Sequence, residues 1–160
     1  MTFAVPAFLE TFENTALSSW IRESDSVFAY YFVLAAHNVG LALLVGSCAV
    51  LGARLLGFVP ELPWQVLRRL FIFIWFGFWL NVVSGIFLVI AYPTKALTNP
   101  LFYVKLLLVV IGAVALRRLQ RETDVKRSLT LWMLASWFGV LAAGRALAYT
   151  ATYILYGRGA

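Results

Sequence analysis

Four long stretches of the chain are almost entirely apolar, and the short segments between them collect proline, asparagine and arginine. A helix of about 20 apolar residues crosses a hydrocarbon core about 30 Å thick, which is the scale of each stretch. The first predicted span covers residues 26 to 51, with Ser24, Asp25 and Ser26 supplying N-cap chemistry at its start. The second covers 66 to 92, entered past Pro63 and stopped before Pro93. Asn99 and Pro100 read as N-cap and first helical position of a third span, 100 to 116, and the fourth covers 128 to 156. Lipid offers no partner for backbone N–H and C=O groups, so each span must be a helix, and short connections force each to reverse the direction of the one before. The predicted fold is all-α, an up-and-down bundle of four transmembrane helices. Ahead of it, Phe8, Leu9, Phe12, Ala16 and Trp20 recur at helical spacing with Glu10, Glu13 and Asn14 between them. That pattern predicts a short amphipathic helix lying in the membrane interface. Residues 1 to 25 are thus read as an interfacial segment and 26 to 160 as the membrane domain.

Composition sharpens this picture. Of 160 residues 62% are hydrophobic and 12% charged, against roughly 45 to 50% and about 25% in average soluble domains. The formal charge of +6 and pI near 9.8 would suit a nucleic-acid binder, but the basic residues sit in the connections, where membrane topology accounts for them and removes nucleic acid as a partner. Arg54, Arg68 and Arg69 flank the first connection, and Arg117, Arg118, Arg121, Lys126 and Arg127 crowd the third. The opposite side holds only Arg22, Lys95 and Arg158 outside the spans. The positive-inside rule then predicts a bacterial inner-membrane protein with both termini and the Pro93 to Pro100 loop on the non-cytoplasmic side. Trp20, Tyr30, Tyr92, Tyr103, Tyr153 and Tyr156 fall at that outer interface as an aromatic belt.

Counts exclude several kinds of chemistry. The single cysteine, Cys48, forms no intrachain disulfide or CxxC motif and reads as a buried apolar residue. The single histidine, His37, excludes a multi-histidine metal site and haem held by two histidines of this chain. No Walker, dinucleotide or HExxH motif and no nucleophile–base pair occurs, so independent catalytic activity is not expected. A start carrying Glu10 and Glu13 without a basic region is not that of a cleaved signal peptide, so it is expected to stay in the mature protein.

Polar residues inside the spans are the candidate chemistry. By helical rise His37 lies about 16 Å beyond Ser26, and Asn81 about 18 Å before Pro93, so the two share a depth. Asn38 adjoins His37, and Ser84 stands on the helical face of Asn81. Arg145, followed on its face by Tyr149, lies about 16 Å from Tyr156, and Lys105 about 9 Å beyond Asn99. Small residues four apart, Ala36 and Gly40, Ala42 and Gly46, and Gly77, Asn81 and Gly85, read as packing seams. No span contains an aspartate or glutamate. An unpaired intramembrane cation costs about 2.5 to 3.5 kcal/mol on insertion scales, so Lys105 and Arg145 require an anion. Within the chain only Glu23 and Asp25 are near in depth; from outside it, a carboxylate or phosphate would suit the guanidinium fork. His37 reads either as interhelical glue bonded to Asn81 or a carbonyl, as a single axial metal ligand to haem b, or as a quinone partner.

The segments HNVGLALLVGS (His37 to Ser47), RLLG (Arg54 to Gly57), Ser84 with Gly85, NPLFYVKLLL (Asn99 to Leu108) and GRALAY (Gly144 to Tyr149) together resemble a family of small bacterial four-helix membrane proteins. A histidine in the first span and a lysine in the third are similar, more distantly, to the membrane domain of copper-resistance D-type proteins and to b-type membrane cytochromes. The resemblance implies a four-helix fold and groups His37, Lys105 and Arg145 as one site. Cytochromes of that kind pair histidines from different helices, and this chain departs from them in having one. Three functions stay open on the sequence: an accessory or scaffold subunit of a larger membrane assembly, a haem b- or quinone-binding electron-transfer subunit, and a small transporter working as a homo-oligomer.

Overall fold

The computed structural model describes residues 28–121 and 127–156, together with Thr11 and Thr15. The two stretches form α1 (Phe28–Leu55), α2 (Trp64–Ala91), α3 (Pro93–Leu97), α4 (Pro100–Arg121) and α5 (Arg127–Tyr156). All but α3 are long and apolar enough to cross a membrane, and they pack as a four-helix bundle. The expected amphipathic helix over residues 6 to 20 and the caps at Ser24, Asp25 and Ser26 lie outside the described residues.

Helix boundaries run past the apolar windows at the basic end. α1 continues to Leu55 and α4 to Arg121, because helical hydrogen bonding persists into the interface, where arginine is at home. α1 then stops in a Schellman motif: Gly57 adopts φ +88°, its N–H bonds the Arg54 carbonyl, and the Phe58 N–H bonds Ala53. A residue with a Cβ would be strained in that left-handed conformation. Pro63 occupies the N-cap position of α2, as its place in the sequence suggests. At the other end Pro93 ends α2 but also begins α3, a single turn absent from the sequence reading, since a proline is tolerated where no N–H is needed. Asn99 caps α4 as expected, its Oδ1 accepting the Leu101 N–H at 3.0 Å.

Consecutive long helices are antiparallel. His37 meets Ser84 while Arg54, further along α1, meets Leu62 before the start of α2. In the second hairpin Asn99 meets Thr150, and Gly112 meets Trp137. The hairpins join where Leu134 packs on Gly52 and the Trp137 ring meets Phe78 edge-on at 6.3 Å. Buried apolar side chains concentrate toward the basic end, in Leu44, Cys48 and Leu51 of α1, Leu67 and Ile74 of α2, Leu116 of α4, and Met133 and Trp137 of α5. Cys48 is fully buried there, as expected. Trp137 fills the space that Gly112 leaves, although its indole N–H finds no acceptor among the described residues. Outward, large apolar groups such as Phe32, Ile72, Phe76 and Trp132 are more than half exposed, which inverts the rule for water and suits lipid.

The small-residue seams divide. Gly40 and Gly77 form a backbone crossing: a Cβ at Gly77 would stand 2.7 Å from the Gly40 carbonyl oxygen and 2.8 Å from the Leu44 nitrogen. Ala42 and Gly46 face outward instead, with open space around Gly46, and make no seam within the chain. Gly77→Ala is therefore expected to destabilise the bundle by about 1–3 kcal/mol, since backbone cannot yield as a side chain does, while Gly46→Ala leaves stability unchanged or slightly raised. Thermal unfolding of the two variants in detergent distinguishes them.

Candidate functional site

The crossing at Gly40 and Gly77 brings α1 and α2 near enough for short polar side chains to bridge them one turn further from the basic end. Asn81 Nδ2 donates to the His37 carbonyl oxygen at 2.9 Å, and His37 Nδ1 lies 3.0 Å from Ser84 Oγ. The Ser84 hydroxyl has one proton, directed at the Leu80 carbonyl at 2.6 Å with Asn81 O at 3.2 Å. It is thus the acceptor toward His37, so Nδ1 carries the proton and a neutral ring has Nε2 unprotonated. Gly85 flanks the ring, a Cβ there standing 3.4 Å from His37 Cε1. The expected pairing of histidine and asparagine is present in altered form: the asparagine holds the histidine backbone, and the serine holds its ring.

This arrangement leaves His37 Nε2 with its lone pair and no hydrogen bond among the described residues. A histidine whose Nδ1–H is held by a second group, which is itself anchored to a carbonyl, has its other nitrogen oriented for ligation or for accepting a proton donor. Lys105 is half-buried, its Nζ lying 3.8 Å from where a Cβ of Gly144 would stand, which places the side chain beside α5. No hydrogen bond or ion pair reaches Lys105 from the described residues.

The remaining predicted residues are placed elsewhere. Arg145 and Tyr149 share an exposed face of α5, and Tyr149 is 69% exposed. Asn38 is exposed on α1. Nothing among the described residues ties Arg145 to His37, Asn81, Ser84 or Lys105. Glu23 and Asp25, the acids expected to neutralise it, lie outside the described residues. One polar joint escaped the sequence reading: Asn99, buried at the start of α4, donates from Nδ2 to Thr150 Oγ1 of α5 at 3.0 Å. Its signal was available, because Thr150 lies opposite Asn99 once the hairpin is folded, but the cap role already explained the asparagine. No group of three or more histidine, cysteine or acidic side chains able to hold a metal ion occurs among the described residues.

The chain matches no family model, no curated protein and no solved structure.

Ser84→Ala is expected to cost about 1 kcal/mol of thermal stability, the scale of an interhelical hydrogen bond in a membrane. Because the chain has one histidine, nitrogen NMR of the labelled protein reads that ring alone. The wild type is expected to show protonated Nδ1 and unprotonated Nε2, and Ser84→Ala a shift toward the other tautomer.

Proposed function

We propose that the chain is a small accessory subunit of a larger bacterial inner-membrane assembly, in which its outer-half polar residues receive an acidic group from a partner or ligand. Lys105 carries the reading. A half-buried ammonium against Gly144 with no ion pair from the described residues is a costly arrangement unless an anion is supplied, and Arg145 adds a second cation on the neighbouring exposed face. The polar groups of α1 and α2, by contrast, are largely spent on each other in the His37, Asn81 and Ser84 joint. The positive-inside rule orients the assembly with this half away from the cytoplasm.

The test is co-migration after gentle solubilisation. Wild-type protein is expected to run in a larger complex, and Lys105→Met and Arg145→Met to be released from it while keeping their helical content. Migration of the wild type as the isolated chain overturns the reading. An intrachain pair with Glu23 or Asp25 would show itself differently, since Glu23→Gln with Asp25→Asn would destabilise the protein as much as Arg145→Met does.

A second reading is favoured by His37 Nε2, which makes no hydrogen bond among the described residues: a haem b- or quinone-binding electron-transfer subunit. The residues fit one axial nitrogen and one ammonium for an acidic or carbonyl group, and do not fit a two-histidine haem. A bound haem would supply one-electron chemistry, while Ser84 would hold the imidazole orientation and Lys105 would neutralise a carboxylate. Oxidised and reduced absorption spectra of protein expressed with added haem check this. A Soret band lost in His37→Ala supports it, and a featureless spectrum with no extractable quinone removes it.

A further inference from the structure

At the basic end of the bundle α2 and α4 leave a groove of about 700 Å³ between them, lined by Arg68, Phe71, Ile72, Trp75 and Gln120. Its wall is held in place from two directions. Trp75 Nε1 donates to Gln120 Oε1 at 3.2 Å, and the Arg117 guanidinium lies over the Trp75 ring, 5.3 Å from its centre. Stacking engages the face of the guanidinium and leaves its N–H edges free to meet an anion in its own plane. Gln120, with its oxygen occupied by the indole, keeps its amide N–H groups for an acceptor. Arg68 has no hydrogen bond or ion pair among the described residues.

We infer that this groove binds one acidic phospholipid, its phosphate between Arg68, Arg117 and Gln120 and its acyl chains along Phe71, Ile72 and Trp75. The occupant must be both anionic and apolar, because Arg68 and Gln120 line the groove beside Phe71, Ile72 and Trp75, and a bilayer supplies one abundant class of such molecule. The local charge favours it strongly. From Arg54 to Arg69 and from Arg117 to Arg127 the chain carries eight basic residues against three acids, Glu61, Glu122 and Asp124. The last two follow Gln120 closely in sequence.

Delipidated protein in detergent, titrated with phosphatidylglycerol or phosphatidylcholine and followed by native mass spectrometry, tests the assignment. The wild type is expected to prefer phosphatidylglycerol about tenfold or more. Arg68→Gln with Arg117→Gln is expected to abolish the preference, while Arg118→Gln with Arg121→Gln, an equal change of charge on neighbouring positions, retains most of it. Equal loss in both pairs would mean diffuse attraction and overturn a site. Competition by inorganic phosphate would overturn the lipid, since the apolar wall would then contribute nothing. Absence of preference in the wild type, restored by Glu122→Gln with Asp124→Asn, would show the groove filled by the chain's own acids and also overturn it. Circular dichroism of each variant confirms that the helices persist.

Discussion

The contact of α1 with α2 at Gly40 and Gly77 sets the geometry of the half of the bundle away from the arginine-rich connections. With backbones touching, side chains as short as asparagine and serine span the gap, so Asn81 reaches the His37 carbonyl and Ser84 the imidazole. A crossing widened by even one methyl on each side would leave those groups facing one another without bonds in a medium with no water to replace them. Gly85 extends the same logic to the ring itself, which rests against a helix surface kept bare for it. A single small-residue stripe thereby does two things, bringing helices together and orienting the only histidine.

Along its length the bundle is held by two kinds of force. Toward the basic end the helices share a buried apolar cluster centred on Leu44, Cys48, Ile74, Leu116 and Trp137. Lipid is as apolar as leucine, so these contacts work through close packing rather than through exclusion of water, and Trp137 shows how far packing dominates, since its ring fills the space at Gly112 while its N–H has no acceptor among the described residues. Toward the opposite end few apolar residues are buried among the described ones, and discrete polar joints replace them: His37 with Ser84, Asn81 with His37, and Asn99 with Thr150. Polar joints are local and directional, and they leave the space between the hairpins less committed than the apolar half.

The spans were legible in the sequence because a bilayer imposes length and uniform apolarity, signals that survive without any knowledge of packing. Prolines and Asn99 marked their limits well, whereas the ends at Leu55 and Arg121 were hidden by arginines, which interrupt an apolar window without interrupting a helix. Depth was legible too: counting residues placed His37 and Asn81 at one level. Rotation about the helix axis was not. Arg145 and Tyr149 share the depth of the polar layer yet lie on an exposed face, and Ala42 with Gly46 has the spacing of a seam yet faces outward. All-round hydrophobicity removes the amphipathic stripe that in a soluble helix reveals which side is buried, so sequence gave the level of each polar group and structure alone gave its direction.

The division into two hairpins has a consequence for biogenesis. α1 and α2 enter the membrane first and can close on each other at Gly40 and Gly77 while α4 and α5 are still to be made, and the second pair closes in turn through Gly112 and Trp137. Lys105 belongs to the later hairpin and His37 to the earlier. The imidazole is thus held by Ser84 within the hairpin made first, while Lys105 takes its place against Gly144 only when the second hairpin closes.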